Sequence, residues 1–313
     1  MNKISCLIVS STIDYSTDLV CRELERRGIC YLRINRDLFS QYEISFDLSE
    51  RLMKFRINGR QFVFDQNQPT SIYYRAPVFN RYSRALSLED QLKRSQWSSF
   101  MRNLIVFDQS RWVNHPVSTY RAENKIYQLM RAEKAGLKIP HSYLGNCVPQ
   151  EIEAKKRYIV KALDTPVFYD GEQEMFTYSI GLTGTELSDA ALSAAPVIIQ
   201  EMIAPKKDLR VTVVGNKLFP AVIQYNGEDI DGDWRKKSKE GLSYSPVELP
   251  TELQDKIRCL MGDLDLIFGG IDLAFCDGEY YFIEVNPTGE WGWLVHTAGF
   301  EIQKAIVDAL EGL

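Results

Sequence analysis

The sequence predicts an α/β protein built of two or three lobes, and three observations support this prediction. The chain has 313 residues, of which 45% are hydrophobic and 12% aromatic, enough for a full core. Residues 3–34 follow the strand, helix, strand order of a βαβ unit. The last third of the chain is rich in strand patterns and ends in a helical pattern.

Residues 1–115 are predicted to form the first lobe, a small α/β unit. Residues 52–64 contain two alternating runs around Asn58-Gly59, which is the strongest short signal for a β-hairpin. A helical pattern begins at residue 17 and is closed by Gly28. The other patterns of this lobe are strands at 3–9, 29–34, 71–75 and 111–115 and a helix at about 88–108.

Two further lobes are expected, a central one at 116–197 and a C-terminal one at 198–313. An amphipathic helix over 119–135 opens the central lobe and is stopped by Gly136 and Pro140. The residues of its apolar stripe are Ile126, Leu129, Met130 and Ala135. The remaining patterns are strands at 157–163, 196–203, 209–214, 217–223, 269–275 and 280–285 and helices near 188–194, 251–267 and 299–311.

Charge, hydropathy and cysteine spacing argue against several classes of protein. The formal net charge of −5 argues against a general nucleic-acid binder. No apolar run approaches the roughly 18 residues that span a bilayer, and the N-terminus has no signal-peptide pattern, so we expect a cytoplasmic protein without a membrane partner. The six cysteines contain no CxxC pair and lie mostly in apolar segments, which favours buried thiols over a zinc site or a disulfide framework.

Two acidic side chains are predicted to lie opposite each other in a hairpin over 270–286. If the apolar residues of both strands face one core, Leu273 lies opposite Ile283, and 277–279 form a three-residue connection. Asp272 then lies directly opposite Glu284, with Cβ atoms about 5 Å apart. Two like charges at this distance repel each other, so the pairing favours a cation between them.

The same face of this hairpin carries an amide, because Asn286 follows Glu284 by two residues. Two carboxylates and an amide oxygen are the hard ligands that Mg²⁺ or Mn²⁺ prefers, with phosphate oxygens and waters completing the coordination. The sequence therefore predicts a metal site at Asp272, Glu284 and Asn286. The alternative from the hairpin alone is a solvated sheet edge with unpaired acids.

A metal held by few protein groups implies bound phosphates, and several cations could meet them. Each basic residue alone fits a solvated surface position, but together they indicate a phosphate site; they are Lys125, Lys161, Lys206, Lys207 and Arg210. The apolar strand at 198–203 runs into a short linker whose main-chain groups could read an adenine edge. Neither a P-loop motif nor a G-x-G-x-x-G fingerprint occurs.

The order of these residues resembles the ATP-grasp superfamily over nearly the whole chain. The segments "VNHP", "AENKIYQLMRAEKAGLKIP", "FTYSIG", "IIQEMIAPKKDLRVTVVGNKLFPAVI", "GDWR" and "EVNPTGEWGWL" resemble, more narrowly, the graspetide synthetases of the microviridin-maturation type. These are ATP-dependent ligases that close side-chain esters and amides on a ribosomal precursor peptide. "YYRAP" (73–77) is similar to a segment of their first lobe, with Ala76 where the family commonly has a second Arg.

The resemblance implies an α/β fold in which an N-terminal pre-ATP-grasp lobe precedes central and C-terminal α+β lobes that clamp ATP. It assigns the α- and β-phosphates to Lys125 and Lys161, and the ribose hydroxyls to Asp208. The adenine is assigned to the segment Gln200, Glu201, Met202 and Ile203. Arg210 and Arg235 would face the γ-phosphate and the substrate carboxylate, and Asp272, Glu284 and Asn286 would hold Mg²⁺. His115, His141 and His296 are expected to be structural.

The implied reaction activates an Asp or Glu side chain of the precursor peptide as an acyl phosphate, which a Ser, Thr or Lys side chain of the same peptide then displaces. The peptide would consist of a leader and an acidic core, and the enzyme is expected to be a homodimer. Two alternatives remain open at this point. One is an ATP-grasp ligase that joins amino acids to a small molecule or to a protein carboxylate, and the other is a non-catalytic nucleotide-binding regulator.

Overall fold

The computed structural model describes residues 2–75, 86–163, 167–170, 173–176 and 179–313. Ala76 and Pro77 of the "YYRAP" segment lie outside the described residues, as does part of "FTYSIG". Among the described residues, no helix is long and apolar enough to cross a membrane.

The first lobe contains two four-stranded sheets. Its strands are β1 (Asn2–Ile4), β2 (Cys6–Ser10), β3 (Tyr31–Asn35), β4 (Tyr42–Asp47), β5 (Leu52–Ile57), β6 (Arg60–Asp65), β7 (Ser71–Tyr74) and β8 (Arg111–Val113), and its helices are α1 (Tyr15–Arg26) and α2 (Leu88–Asn103). One sheet is parallel with the order β3-β2-β7-β8, and the other has the order β1-β6-β5-β4. The run at 3–9 is thus two strands that belong to different sheets and are separated by Ser5.

The turn between β5 and β6 confirms the predicted hairpin. Asn58 and Gly59 both have positive φ values, of 49° and 74°. A two-residue turn with both central residues in this region matches the right-handed twist of the flanking strands. The strand at 42–47 had no predicted counterpart, and it pairs antiparallel with β5 at the edge of the sheet.

The central part of the chain begins with two short helices instead of the single predicted one. Its elements are α3 (Pro116–Ala122), α4 (Lys125–Lys134), β9 (Ser142–Gly145), β10 (Arg157–Ala162), β11 (Val167–Asp170), β12 (Gln173–Phe176), β13 (Ile180–Thr183), α5 (Gly184–Ser188) and β14 (Val197–Glu201). The break lies at Asn124, which adopts an extended conformation, and its side chain donates to the carbonyl of Tyr120. This local bonding is the behaviour that makes asparagine a helix terminator.

The break at Asn124 changes the face that α4 buries. Gln128, Leu129 and Ala132 are buried, whereas Met130 is 64% exposed, so the prediction of Met130 in the apolar stripe was wrong. The predicted helix near 188–194 also lies earlier, in α5, followed by a 3₁₀ turn at Leu192–Ala194. Strand β14 pairs with β10 and β9 in the central sheet, so this sheet continues past the predicted lobe boundary at 198.

The C-terminal part is built on a five-stranded antiparallel sheet with the order β17-β16-β15-β18-β19. Its elements are β15 (Lys207–Val214), β16 (Lys217–Tyr225), β17 (Leu242–Pro246), α6 (Thr251–Asp263), β18 (Phe268–Cys276), β19 (Glu279–Asn286), α7 (Gly292–Thr297) and α8 (Ile302–Glu311). One face of this sheet packs against α4 and α6, with Leu209, Ile257 and Phe282 in a common core.

The last helices return to the first lobe. Ile306 and Leu310 of α8 and Trp291 before α7 are buried in one core with Leu24 of α1 and Tyr73 of β7. Burial of this apolar surface is the main favourable term that holds the two ends of the chain together. Trp291 is therefore a core residue at the contact between the lobes.

The cysteines are free thiols, but only part of the burial prediction is confirmed. Cys6 and Cys21 are buried, and burial raises the pKa of the Cys6 thiol to about 12. Cys30, Cys147 and Cys259 are exposed: Cys30 precedes β3, Cys147 lies in the loop after β9, and Cys259 lies in α6.

Candidate functional site

A cleft of about 420 Å³ lies between the central sheet and the five-stranded sheet. Its volume is within the range of pockets that hold small molecules. Most of the predicted site residues line it, namely Lys161, Gln200, Glu201, Met202, Ile203, Asp208, Arg235 and Asp272. The apolar residues of its wall include Pro140, Ile159, Ala274 and Ile283, of which none was predicted from the sequence.

The segment 200–203, at the end of β14, lines the cleft. The Gln200 side chain is buried and donates to the Ser142 hydroxyl at 2.8 Å, which fixes the strand against β9. The Met202 amide donates to the carbonyl of Arg157 at 2.9 Å. Strand β14 ends at Glu201, so the main-chain groups of Ile203 lie beyond the ladder and next to the cleft.

Asp208 lies at the start of β15, where its carboxylate contacts the Lys206 ammonium. Burial raises the pKa of Asp208 to about 6, although Lys206 acts in the opposite direction. The side chain is only 13% exposed. A carboxylate in this setting is a strong hydrogen-bond acceptor above about pH 6 and a neutral acid below it.

Lys161 lines the cleft, and the charge of Lys125 acts on it although Lys125 is not among the lining residues. Lys161 lies in β10, opposite Ile198, and burial lowers the pKa of its ammonium, with Lys125 and Arg235 acting in the same direction. Glu284 and Asp272 oppose this shift. Lys125 is the first residue of α4, so its charge adds to the positive end of a helix dipole. Two cations at this position favour a bound anion.

The predicted pairing of Asp272 with Glu284 is confirmed by the strand register. The predicted connection is wrong, because the turn contains only Asp277 and Gly278, with φ values of 51° and 81°. The extra residue lies within β19 as a β-bulge at Ile283. The bulge lets Phe282 reach the core while Ile283 lines the cleft, and it restores the register at Glu284.

A guanidinium occupies the space between the two carboxylates. Arg235 Nη2 contacts Asp272 Oδ2 and donates to Glu284 Oε1 at 2.8 Å. Asn286 Nδ2 donates to the same Glu284 oxygen at 3.3 Å. Burial lowers the pKa of Arg235, but the two carboxylates outweigh it and hold the pKa above its ordinary value. The carboxylates of Asp272 and Glu284 therefore favour a positive charge between them.

Arg210 holds Asp272 from the other side. Its Nη1 donates to Asp272 Oδ1 at 2.8 Å, and its side chain is 6% exposed. Burial raises the pKa of Asp272, yet Arg210 and Arg235 together hold it below the ordinary value, so the side chain is ionised at neutral pH. The Arg210 guanidinium passes over Gly270 and Gly289, where a Cβ atom would lie 2.3 and 2.5 Å from Nη2.

The residues present fit a divalent ion. Asp272, Glu284 and Asn286 offer oxygen ligands from neighbouring positions on one face of the hairpin. In this structure the guanidinium of Arg235 balances the charge of the two carboxylates. Within the described ranges, no group of three or more His, Cys, Asp or Glu could hold a metal. An ion at this hairpin would thus need further ligands from phosphate and water.

The hairpin of β18 and β19, which carries Asp272, Glu284 and Asn286, is called the ligand hairpin. Three buried polar side chains that we did not predict as functional hold it. Gln128 exchanges two hydrogen bonds with the main chain of Val285, at 2.7 and 3.0 Å. Asn114 donates to the Pro287 carbonyl at 2.9 Å, and Arg75 donates to the two carbonyls that follow. The only sequence signal for Gln128 is a polar residue on the buried face of an amphipathic helix.

The chain is similar to several known proteins. Residues 181–310 match the family model of the RimK-like ATP-grasp domain. The chain is 23% identical over 210 residues to the α-aminoadipate–LysW ligase LysX of Sulfolobus acidocaldarius, covering 63% of this chain and 73% of that protein.

Two solved structures are similar over nearly the whole chain. One is the macrocyclase MdnC bound with precursor peptide MdnA from Microcystis aeruginosa, at 25% identity and a TM-score of 0.82, covering 98% of this chain and 99% of that one. The other is a RiPP-associated ATP-grasp ligase of Chryseobacterium gregarium in complex with ADP and a leader and core peptide. It is 24% identical with a TM-score of 0.84 and covers 100% of this chain and 97% of that one.

ATP-grasp enzymes use ATP and Mg²⁺, for which the lysines, the segment 200–203 and the ligand hairpin supply suitable groups. The chain therefore has the ATP-grasp fold, matches the RimK-like ATP-grasp domain over residues 181–310, and is similar to ATP-grasp ligases.

Proposed function

We propose that this ligase activates Asp or Glu side chains of a ribosomal precursor peptide and closes ester or amide macrocycles with Ser, Thr or Lys side chains. One observation carries the proposal. Arg235 bridges Asp272 and Glu284, and Arg235 and Asp272 line the same cleft as the segment 200–203. An arginine at this position can release the two protein carboxylates and bind a substrate carboxylate instead. A guanidinium binds a carboxylate with two parallel hydrogen bonds.

The shape of the cleft supports the proposed orientation of ATP. Its apolar lining at Ile159 and Ile283 suits a flat base, and Ile203 lines the same cleft. Asp208 would accept hydrogen bonds from ribose hydroxyls. Lys161 and Lys125 would then bind the phosphates. The two lysines lie near each other, since the charge of Lys125 lowers the pKa of Lys161.

Asp272, Glu284 and Asn286 would hold Mg²⁺, which supplies charge neutralisation at the phosphates. The protein supplies the rest of the arrangement. Arg210 is buried and would stay on Asp272, while Arg235 has a 39% exposed side chain on a short 3₁₀ turn and can move towards the substrate. Asp233 caps this turn by accepting from the Arg235 amide.

The proposed reaction has two steps. A substrate carboxylate oxygen attacks the γ-phosphorus of ATP, the bond to the β-phosphate oxygen breaks, and ADP leaves with an acyl phosphate formed. A hydroxyl or amine of the same peptide then attacks the acyl carbon, loses its proton, and displaces inorganic phosphate. Arg235 would orient the carboxylate in the first step and stabilise charge on the phosphoryl oxygens.

The peptide substrate is supported by the two structural relatives, whose names state that they bind precursor peptides. The rival proposal is addition of an amino acid, as the name of the LysX relative suggests for that protein. Both proposals use the same phosphate and metal residues and differ only at the acceptor. The intact set of cations and acids in one cleft argues against a nucleotide-binding regulator. A homodimer remains a prediction.

The test is ADP release with and without the peptide encoded by a neighbouring short reading frame rich in Thr, Ser, Lys, Asp and Glu. Cyclisation predicts peptide-dependent ADP release and the loss of one water per ring in the mass spectrum. A mass gain equal to an amino-acid residue would support the rival. ADP release that does not depend on any peptide would contradict the proposal.

A further inference from the structure

We propose that Arg75 is a positioning residue for the metal-ligand hairpin. The inference rests on the proposed function, because it concerns how the ligands Asp272 and Asn286 are held. Arg75 itself lies in the first lobe, immediately after β7, and has no assigned role. Its side chain is 4% exposed, and it reaches across to the segment that follows Asn286.

The guanidinium of Arg75 binds the three residues 288–290 in succession. Nη1 donates to the carbonyls of Thr288 and Gly289 at 2.8 and 3.0 Å, and Nη2 donates to Glu290 Oε1 at 2.7 Å. Nε donates to Asp14 Oδ2 at 3.2 Å, which anchors the group to the first lobe. The segment can move away from the first lobe only by breaking several charge-assisted hydrogen bonds.

A second guanidinium holds the same segment from the opposite side. Arg210 Nη2 donates to the Glu290 carbonyl at 3.4 Å, while its Nη1 holds Asp272. Gly289 lies against Arg210, since a Cβ atom there would be 2.5 Å from Nη2. Residues 288–290 thus lie between Arg75 and Arg210. A displacement of the segment would change the support of Asp272 as well as the direction of the chain leaving Asn286.

The hydroxyl of Ser16 completes this contact. It donates to Glu290 Oε2 at 2.7 Å and accepts from the Gly292 amide at 3.0 Å. Gln128 and Asn114 hold Val285 and Pro287, so nearly every residue after Glu284 is tied to the first half of the chain. Within this set, Arg75 is the member that binds all three residues 288–290.

A lysine could not replace this arginine. A guanidinium offers five N–H donors in a planar fork, whereas an ammonium offers three donors from a single atom. The partners of Arg75 are spread over three different nitrogens, with two carbonyls, Asp14 and Glu290 on separate edges of the fork. Arg75→Lys would keep the charge and lose part of the alignment.

The competing explanation is a bond between lobes that has no influence on the site. Arg27 provides a matched control for that explanation. It also connects the end of α1 to the C-terminal part of the chain, through Asp308 and Glu311, while Glu23 of α1 holds it in place, and its side chain is 17% exposed. None of these partners lines the cleft. Loss of either arginine should lower stability, but only loss of Arg75 should alter the response to Mg²⁺.

The experiment measures ADP binding by calorimetry as a function of Mg²⁺ in the full-length protein, its Arg75→Met and Arg75→Lys variants, and Arg27→Met. For Arg75→Met we expect the Mg²⁺ concentration at half-maximal effect to rise about 10-fold to 100-fold, as for other groups that orient metal ligands. We expect ADP binding in excess chelator to be unchanged, an intermediate effect for Arg75→Lys, and no change in the Mg²⁺ response for Arg27→Met. Hydrogen exchange should also quicken at 287–292 in Arg75→Met alone.

Each outcome has a separate meaning. If the wild-type protein binds ADP without any dependence on Mg²⁺, the proposed metal site fails. If the wild type depends on Mg²⁺ and Arg75→Met has the same half-maximal concentration, the positioning role is overturned and Arg75 is only a bond between lobes. If Arg75→Met does not fold, the same comparison is made with Arg75→Lys, for which an unchanged Mg²⁺ response has the same meaning.

Discussion

Gly270→Ala tests whether the position of Arg210 depends on the absence of a side chain at residue 270. A Cβ atom there would lie 2.3 Å from Arg210 Nη2 and 2.5 Å from Cζ, distances at which the guanidinium must move. The movement would separate Arg210 from Asp272, which are a buried ion pair. Leaving a buried charge without its partner costs about 3–5 kcal/mol, so we expect a loss of stability of this order together with a loss of ADP formation.

Urea unfolding followed by fluorescence measures this loss, and the chain offers a matched control. Gly262 lies in α6, where a Cβ atom would meet no described neighbour within 4 Å, so Gly262→Ala should raise stability by about 0.5–1 kcal/mol. In an Arg210→Met background Gly270→Ala should cost much less than in the wild type, because the clash is absent. If the stability of Gly270→Ala is within about 0.5 kcal/mol of wild type and turnover is normal, the position of Arg210 does not depend on a glycine at residue 270.

Three further predictions concern the cleft. Lys161→Met and Glu284→Gln should abolish ADP formation while circular dichroism and thermal unfolding still report a folded chain; normal turnover in either variant would remove that residue from the site. The pKa of Asp208 is raised to about 6 in the folded protein, compared with its ordinary value of 3.8 in the unfolded chain. Between these two pH values, the folded protein keeps a proton that the unfolded chain has already released. This carboxyl therefore reduces stability as pH rises from about 4 to about 6, and Asp208→Asn should gain up to about 3 kcal/mol relative to wild type over that window in urea titrations. ADP affinity of the wild type should weaken below about pH 6, and an affinity that is flat from pH 5 to 8 would contradict the ribose assignment. Arg235→Lys should retain nucleotide binding and lose turnover by about 10²-fold to 10³-fold, as when one charge-stabilising donor is removed; stopped-flow measurement of ADP release checks this, and turnover within a few-fold of wild type would exclude the proposed role.

The register of the ligand hairpin shows how far sequence reasoning reached. The alternation of apolar and polar residues predicted that Asp272 lies opposite Glu284, and the observed strand pairing confirms it. The prediction placed the extra residue in the turn, whereas the structure places it in the strand at Ile283. Both arrangements shift the register by one residue, so the pairing of the acids is the same. The sequence "YYFIEV" does not indicate a bulge, because almost every position is apolar. Apolar side chains would face the core whether or not one residue is inserted in the strand.

The contacts that hold the site were beyond sequence reasoning for a different reason. Arg75, Asn114 and Gln128 act on the main chain of a segment more than a hundred residues away, and main-chain partners have no sequence signature. The split between α3 and α4 at Asn124 is a local effect, and the asparagine could have been read as a cap. The apolar stripe continued through it, however, and favoured one helix.

We propose that Asp272 and Glu284 hold a divalent ion at bound ATP. A crystal structure with ADP and Mn²⁺, in which the anomalous signal locates the metal, checks this proposal. We expect a Mn²⁺ peak bound by Asp272, Glu284 and Asn286, with Arg235 displaced from both carboxylates. A peak elsewhere in the cleft, or Arg235 still bridging the two acids beside bound nucleotide, would contradict it.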